Sequence, residues 1–422
     1  MSIVSFLTQF SNLVKENITI IGAGPIGALA SIFLAKQGYQ VDVYEKRPDL
    51  RTVAIQAGRS INLALSTRGW SALEKAGLKD ACMQIALPMY GRMVHDVEGN
   101  TNFQPYSTDG KAIYSISRAE VNKILLTEAE KMGVRLHFNH TCTKIDFATN
   151  SVGFRDINNA YVKIYPKVCL GADGAFSELR TEMMQHGQMN YSQEYLDYGY
   201  KELKIENSTL KSDALHIWPR KDFMLIALPN MDGSFTCTLF LKMQGEESFQ
   251  NLDSEAKVEV FFDHYFKDAA PFISNLANQF LSNPTGSLVT IKCYPWSRQV
   301  GEHGYCLLGD SAHAIVPFYG QGMNCGFEDC SILDGLLSNF TSWETLFKTF
   351  EKLRKPNTDA IAQMAYDNFI EMRDLVADEE FLKNKKKEAQ YKVEHPDWLT
   401  KYEMVTFSNI PYAEVLQRKT SL

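Results

Sequence analysis

Apolar residues along this chain fall into short unbroken runs and longer periodic stretches. Ile18-Thr19-Ile20-Ile21 is nearly continuous, as a strand buried on both faces requires. Pro25 to Gln37 reads as a helix, with proline in its first turn and Gly38 at its C-terminal end. Val41-Asp42-Val43-Tyr44 is the next strand, so the three form a βαβ unit. Further strands are predicted at Val134 to Phe138, Val168 to Leu170, Met224 to Leu228 and Phe235 to Leu241. Residues 186–300 are richer in alternating, aromatic strands and predict an antiparallel sheet. From about 323 onward the pattern turns helical, breaks at Pro356, and stays helical to Lys392.

Residues 1–16 stand apart. Ile3, Phe6, Leu7, Phe10, Leu13 and Val14 follow helical spacing, which predicts a helix or arm on the body, with too little positive charge for a membrane surface. The resulting division is an N-terminal extension (1–17), a nucleotide-type domain (18–185, lending a piece near 83–110 to the sheet domain), a β-sheet domain (186–300), a return to the first domain (301–345), and a C-terminal helical region (346–422). The fold class is thus α/β with α+β. No repeat or low-complexity linker separates these parts, so they are expected to interdigitate.

Composition narrows the partners. Lys plus Arg is 43 against 50 for Asp plus Glu, a net −7, and clustered positive charge for a phosphate backbone is lacking, so nucleic acid is excluded. The one basic run, Lys383 to Lys387, is flanked by acids and reads as a solvated helix face. The eight cysteines include no Cys-x-x-Cys, so no metal is expected, and strings such as Tyr305-Cys306-Leu307-Leu308 read as core in a reducing, cytoplasmic compartment. No secretory signal and no membrane-spanning run is present.

Three strings carry chemistry. Gly22-Ala23-Gly24-Pro25-Ile26-Gly27 follows a strand and opens a helix. Gly22 permits the tight turn, Gly24 lets backbone approach a pyrophosphate, and Gly27 allows close helix–strand packing. Glu45, 21 residues after Gly24, ends the second strand and can accept from a ribose hydroxyl. This string alone leaves open which dinucleotide binds. Next comes Asp173-Gly174 after a buried strand, with Ser177 and Arg180 downstream. Last is Gly309-Asp310, with Pro317 and Gly320-Gln321-Gly322-Met323-Asn324 beyond it. An aspartate at a strand end can accept from a polyol, and a glycine-rich helix N-terminus can approach a flat ring that gains negative charge on reduction.

In this order the three strings resemble those of the single-component FAD-dependent aromatic hydroxylases, which pair a Rossmann-type FAD domain with an inserted antiparallel β-sheet substrate domain. More specific strings resemble the kynurenine 3-monooxygenase family: Gly58 to Ser66, Gly91 to His95, Leu215 to Arg220, Ile226 to Asn230, Ser234 to Phe240, Val316 to Asn324 and Tyr402 to Ser408. The likeness runs from about 18 to about 415.

The resemblance implies bound FAD, transient NADPH without a second Rossmann fingerprint, O₂, and hydroxylation of L-kynurenine to 3-hydroxy-L-kynurenine through a flavin C4a-hydroperoxide. It places substrate contacts on Arg92, Tyr106, Asn368 and Tyr402. It places flavin contacts on Ile26, Tyr44, Glu45, Lys46, Arg47, Ala64, Arg118, Cys142 (through backbone), Asp310, Met323 and Asn324, beside Gly22, Gly24, Gly27 and Asp173. Phe240, Pro317, Phe318 and Tyr319 are expected as a dry wall, with Tyr319 standing where the family also shows His or Phe. No general acid or base is assigned, because the substrate's ring amine already donates electrons, and His313 is expected to be structural. A homodimer is compatible with this reading, and membrane association is expected only if a hydrophobic tail lies beyond Leu422. The alternatives are a hydroxylase of the same fold acting on a phenol, and a non-catalytic flavin-binding interaction protein. Kynurenine-stimulated NADPH oxidation separates them.

Overall fold

The computed structural model describes residues 15–53, 62–206, 208–371, 379–395 and 397–418. The helix expected over residues 1–14 and the Gly58 to Ile61 part of one family string lie outside them.

The βαβ unit is organised around a six-stranded sheet. Its strand order is Ser297–Val300, His303–Leu307, Val168–Gly171, Lys15–Ile21, Tyr39–Tyr44, Arg135–His137. All neighbours are parallel except the first pair. The apolar runs are continuous because helices cover both faces: Ile18, Ile20, Val43, Leu170 and Leu307 are almost wholly buried. The first strand starts earlier than its apolar run. Lys15 pairs with Tyr39, and the Glu16 carboxylate accepts from Trp343 Nε1 at 2.8 Å and pairs with Lys167 at 2.8 Å. Residues 15 and 16 therefore belong to the core sheet and not to an appended helix. Glu16 is polar because its partners, Trp343 and Lys167, lie at the rim of the sheet.

The second large sheet has seven strands, ordered Thr285–Tyr294, Asn190–Ile205, Phe235–Lys242, Phe223–Pro229, Ala214–Arg220, Gly91–His95, Thr101–Pro105. It is not wholly antiparallel: Gly91–His95 runs parallel to Ala214–Arg220, because the first half of the chain lends this strand across the interface. Its two faces are unlike. Trp218, Leu225, Phe235 and Leu239 pack against the helices Glu255–Tyr265 and Leu276–Ser282, and alternate residues line a cavity on the opposite side. Ser297–Val300, at the end of the segment read as sheet domain, pairs into the six-stranded sheet instead.

Pro356 does not break its helix. Trp343–Ile370 runs through it for 28 residues. The N–H missing at Pro356 would have served the Lys352 carbonyl; beside it Asn357 Nδ2 donates to Leu353 O at 2.8 Å and Thr358 Oγ1 to Lys355 O at 3.1 Å. Arg354, just before the proline, is buried and bound to Glu328 and to Asp329. Packing thus overrides the local signal. The C-terminal helices Lys401–Phe407 and Tyr412–Gln417 lie against this long helix through Met404, Val405, Tyr412 and Val415. Among the described residues no helix is long and apolar enough to cross a membrane.

Candidate functional site

At the end of the first strand, Gly22 has φ +101°, and a Cβ on it would lie 2.4 Å from the Ala172 carbonyl oxygen. A Cβ on Gly27 would lie 1.9 Å from the Gly22 carbonyl oxygen. Both positions therefore exclude side chains. Gly24 differs: a Cβ there would meet nothing within 4 Å. That open space faces the first turn of Pro25–Lys36, whose first N–H groups have no intrahelical partner, as a pyrophosphate requires. Glu45 reaches back to this turn. Its Oε2 accepts from Ala23 N at 2.9 Å, and its Oε1 accepts from Arg47 N at 3.0 Å and Arg47 Nε at 2.7 Å. Burial pushes the Glu45 carboxyl up, but Arg47 and the two backbone donors outweigh it and hold the group below the ordinary carboxylate range. Lys46 is exposed beside it. The Tyr44 ring is stacked between His137 and Phe154, with centroids at 4.4 and 4.1 Å, and its carbonyl accepts from Gly22 N at 2.8 Å, so Tyr44 braces the glycine turn.

From this turn a cavity of ≈ 380 Å³ leads to the seven-stranded sheet. Ile26, Arg118, Asp310 and Met323 line it, as does Ala64, which packs in the Tyr106 and Tyr402 cluster. Phe240, Pro317, Phe318 and Tyr319 form a wall further in, and Arg92, Tyr106 and Tyr402 close the far end. These residues come from well-separated regions of chain, brought together by the two sheets and the C-terminal helices.

The far end is the chemically distinctive part. The Arg92 guanidinium lies 5.0 Å from the Tyr402 ring centroid and 5.7 Å from that of Tyr106. The two tyrosine rings stack at 5.3 Å and 18°, and Tyr319 stacks on Tyr402 at 6.0 Å. Arg92 Nε and the Tyr106 hydroxyl are buried without a well-formed hydrogen bond, facing only one another and Tyr402, and Arg92 forms no ion pair with any described acid. Burial holds the phenols of Tyr106, Tyr319 and Tyr402 above their ordinary range, so each remains a hydrogen-bond donor at neutral pH. A fixed cation beside a buried phenol, both with donors to spare, makes a receptor for a carboxylate.

Other expected residues sit elsewhere. Asn368 does not line the cavity; its Nδ2 donates to the Phe318 carbonyl at 2.7 Å, and so acts on the wall. Asn324 is buried in backbone bonds, donating to Ala64 O and Gly320 O and accepting from Ser66 N, each at 2.9 Å. Asp173 receives the N–H of Glu178 at 2.7 Å, while its Oδ1 is buried without a partner. Burial raises the carboxyl of Asp173 and the thiol of Cys142. His313 is held by Asp329 at 2.6 Å inside the core, off the cavity. His313, Cys325 and Asp329 cluster closely enough to suggest a metal. The Arg354 guanidinium already lies on Asp329 at 2.6 Å and on the Cys325 sulfur at 3.3 Å, supplying the positive charge that an ion would bring.

Sequence reasoning missed Asn62, Tyr200, Thr238 and Ser287, all cavity-lining. Only strand register brings Tyr200 there, opposite Phe240. No local spacing announces it.

A family model described as FAD binding domain matches residues 15–265. Solved structures share the fold over most of the chain. The tetrameric form of 2-methyl-3-hydroxypyridine-5-carboxylic acid oxygenase has TM-score 0.68 at 18% identity, covering 86% of this chain and 94% of that one. Pseudomonas aeruginosa PqsL in complex with 2-aminobenzoylacetate has TM-score 0.66 at 17% identity, covering 85% and 97%. The class is therefore an FAD-binding protein of the aromatic-hydroxylase fold. Within it, the chain belongs to the kynurenine 3-monooxygenase family. It is 45% identical to the kynurenine 3-monooxygenase of Christiangramia forsetii, over 96% of this chain and 91% of the relative. It is 43% identical to that of Dictyostelium discoideum, over 95% and 90%.

Proposed function

We propose that this chain is an FAD-dependent monooxygenase that converts L-kynurenine to 3-hydroxy-L-kynurenine with NADPH and O₂. Family membership supports the reaction. The observation that carries the substrate is Arg92, buried and without an acidic partner, between Tyr106 and Tyr402 at the end of a cavity that starts at the glycine turn. Gly22, Gly24, Ile26, Gly27, Tyr44, Glu45, Lys46, Arg47, Ala64, Arg118, Cys142, Asp173, Asp310, Met323 and Asn324 are the residues proposed to hold FAD, and the open space at Gly24 fits its pyrophosphate. FAD supplies the oxygen-activating chemistry, with NADPH as its reductant.

The rest is positioning by the chain. Arg92 receives the amino-acid carboxylate as a bidentate partner, and Tyr106 and Tyr402 donate to it. Phe240, Pro317, Phe318 and Tyr319 clamp the aromatic ring and exclude water, which would otherwise divert the oxygen to peroxide. Asn368 holds Phe318 by its carbonyl. No side chain is assigned as a general acid or base, since the ring amine already activates the adjacent carbon. A homodimer and a cytoplasmic, reducing location belong to the same proposal. The eight free cysteines, seven of them buried, agree with the latter.

The test is NADPH consumption by the FAD-loaded protein with and without L-kynurenine, with the product identified by mass. Stimulation with a gain of one oxygen atom is expected. Consumption that L-kynurenine does not alter would overturn the reading.

A further inference from the structure

The Tyr402 helix closes the substrate end of the cavity, packed through Met404 and Val405, and the segment that follows it, residues 408–418, is held in addition by one buried guanidinium. Arg68, in the helix Thr67–Ala76, has a side chain with 0% exposure. Its Nη1 pairs with Glu328 Oε1 at 2.6 Å, its Nη2 donates to the Ile410 carbonyl, and its Cζ lies 3.8 Å from the ring centroid of Tyr412. Tyr412 is fully buried, and its hydroxyl donates to Gln321 Oε1 at 2.8 Å. The same oxygen of Gln321 accepts from Ser66 Oγ at 3.4 Å, at the N-terminus of the Arg68 helix. Gln321 sits between Gly320 and Gly322, which line the cavity. One connected set of contacts thus joins the segment that carries Tyr402 to the loop beside the proposed flavin site.

We propose that Arg68 is a positioning residue for substrate binding. Through Ile410 and Tyr412 it fixes the C-terminal segment, and so sets the Tyr402 ring against Tyr106 and Arg92. The proposal rests on Arg92, Tyr106 and Tyr402 being substrate contacts. Three features of the guanidinium are used at once: charge against Glu328, a directed donor to a carbonyl, and a flat cation over an aromatic ring. A lysine can supply only the first. Glu328 does not depend on Arg68 to stay paired, since Arg354 Nη1 also holds it at 2.5 Å. Removing Arg68 therefore leaves no orphaned buried carboxylate, and the variant is expected to fold.

The test uses Arg68→Met, Arg68→Lys and Tyr412→Phe in the full-length, FAD-loaded protein. Arg68→Met should keep parental FAD content and nearly parental kcat at saturating L-kynurenine, while Kd and KM for L-kynurenine rise by about ten-fold, the scale of one charge-assisted contact. Arg68→Lys should recover only part of this, and Tyr412→Phe should shift both constants in the same direction by less. Hydrogen exchange at Met404 and Val415 should speed up, while Ile20 and Leu170 in the six-stranded sheet keep their protection. Parental Kd and KM in Arg68→Met would overturn the proposal, as would accelerated exchange that spreads into that sheet. If the parent binds no L-kynurenine, the substrate reading is what fails, and the exchange pattern alone then decides whether Arg68 holds the segment.

Discussion

Arg92 is an unremarkable residue in sequence, and its role comes from its surroundings. Two buried phenols flank it, and no described acid neutralises it. Arg92→Ala should therefore leave FAD content and the flavin spectrum intact while weakening L-kynurenine by about 2–5 kcal/mol, the usual loss when a buried charge partner is removed. Kynuramine, which lacks the carboxylate, should bind parent and mutant equally; equal weakening of both ligands would show that Arg92 is not the carboxylate anchor. Glu45 is a different case, since its position at a strand end is readable from spacing alone. The structure adds that Arg47 and the Ala23 N–H hold its carboxylate in place. Glu45→Ala should lower FAD retention by ~1–3 kcal/mol, checked by FAD content after dialysis. Asn368 donates from Nδ2 to the Phe318 carbonyl, a contact that sequence cannot reveal because it does not show which way a helix residue faces.

At the level of elements, the βαβ unit was legible because burial on both faces leaves an uninterrupted apolar run. Glu16 was not, since rim positions of a strand are polar and satisfied by distant partners, here Trp343 and Lys167. Pro356 misled for a related reason: tertiary contacts at Arg354 outweigh one missing hydrogen bond. The back of the Arg92 strand holds a pairing invisible to any motif. His216 donates from Nε2 to the Lys211 carbonyl at 2.9 Å and accepts at Nδ1 from His95 Nε2 at 2.8 Å, and His95 Nδ1 meets Asp268 at 2.8 Å. Burial, the largest influence, depresses His216 from 6.5 to about 4. The unfolded chain then binds the extra proton first. The stability from this group is complete above about 6.5 and is lost as pH falls through 4, on the order of 3 kcal/mol in all. Unfolding free energies of parent and His216→Gln from pH 7 to 4.5 check this: the variant's curve should be flatter, and parallel curves would refute it.

Across the whole molecule, the site exists only because two sheets meet. Asn62, on the short strand Asn62–Leu65 that pairs with Ile113–Ser117, ties that piece to the seven-stranded sheet: its Nδ2 lies 3.1 Å from Ser115 Oγ and from the Pro229 carbonyl and 2.6 Å from Asn230 Oδ1, acceptors that share its two N–H. Asn62→Ala should cost about 1 kcal/mol in denaturant unfolding, because Asn230 Oδ1 loses its closest donor while the Pro229 carbonyl keeps the Ser115 hydroxyl at 2.8 Å. FAD release and loss of the substrate sheet should still coincide. Unchanged stability would mean that water replaces the amide there.

Sequence by itself determined the glycine turn, the acid at the end of the second strand, the order of the three flavin strings and the family. Each depends on near neighbours in the chain, where backbone geometry and apolar period leave a local trace. Tertiary structure alone decided the lining of the cavity by Tyr200 and Thr238, the turning of Asn368 to Phe318, the passage of a helix through Pro356, and the burial of Arg68 under the C-terminal segment. Those outcomes rest on strand register and on charges paired between distant parts of the chain, as Arg68 is with Glu328, and no local pattern encodes which distant side chain completes a pair.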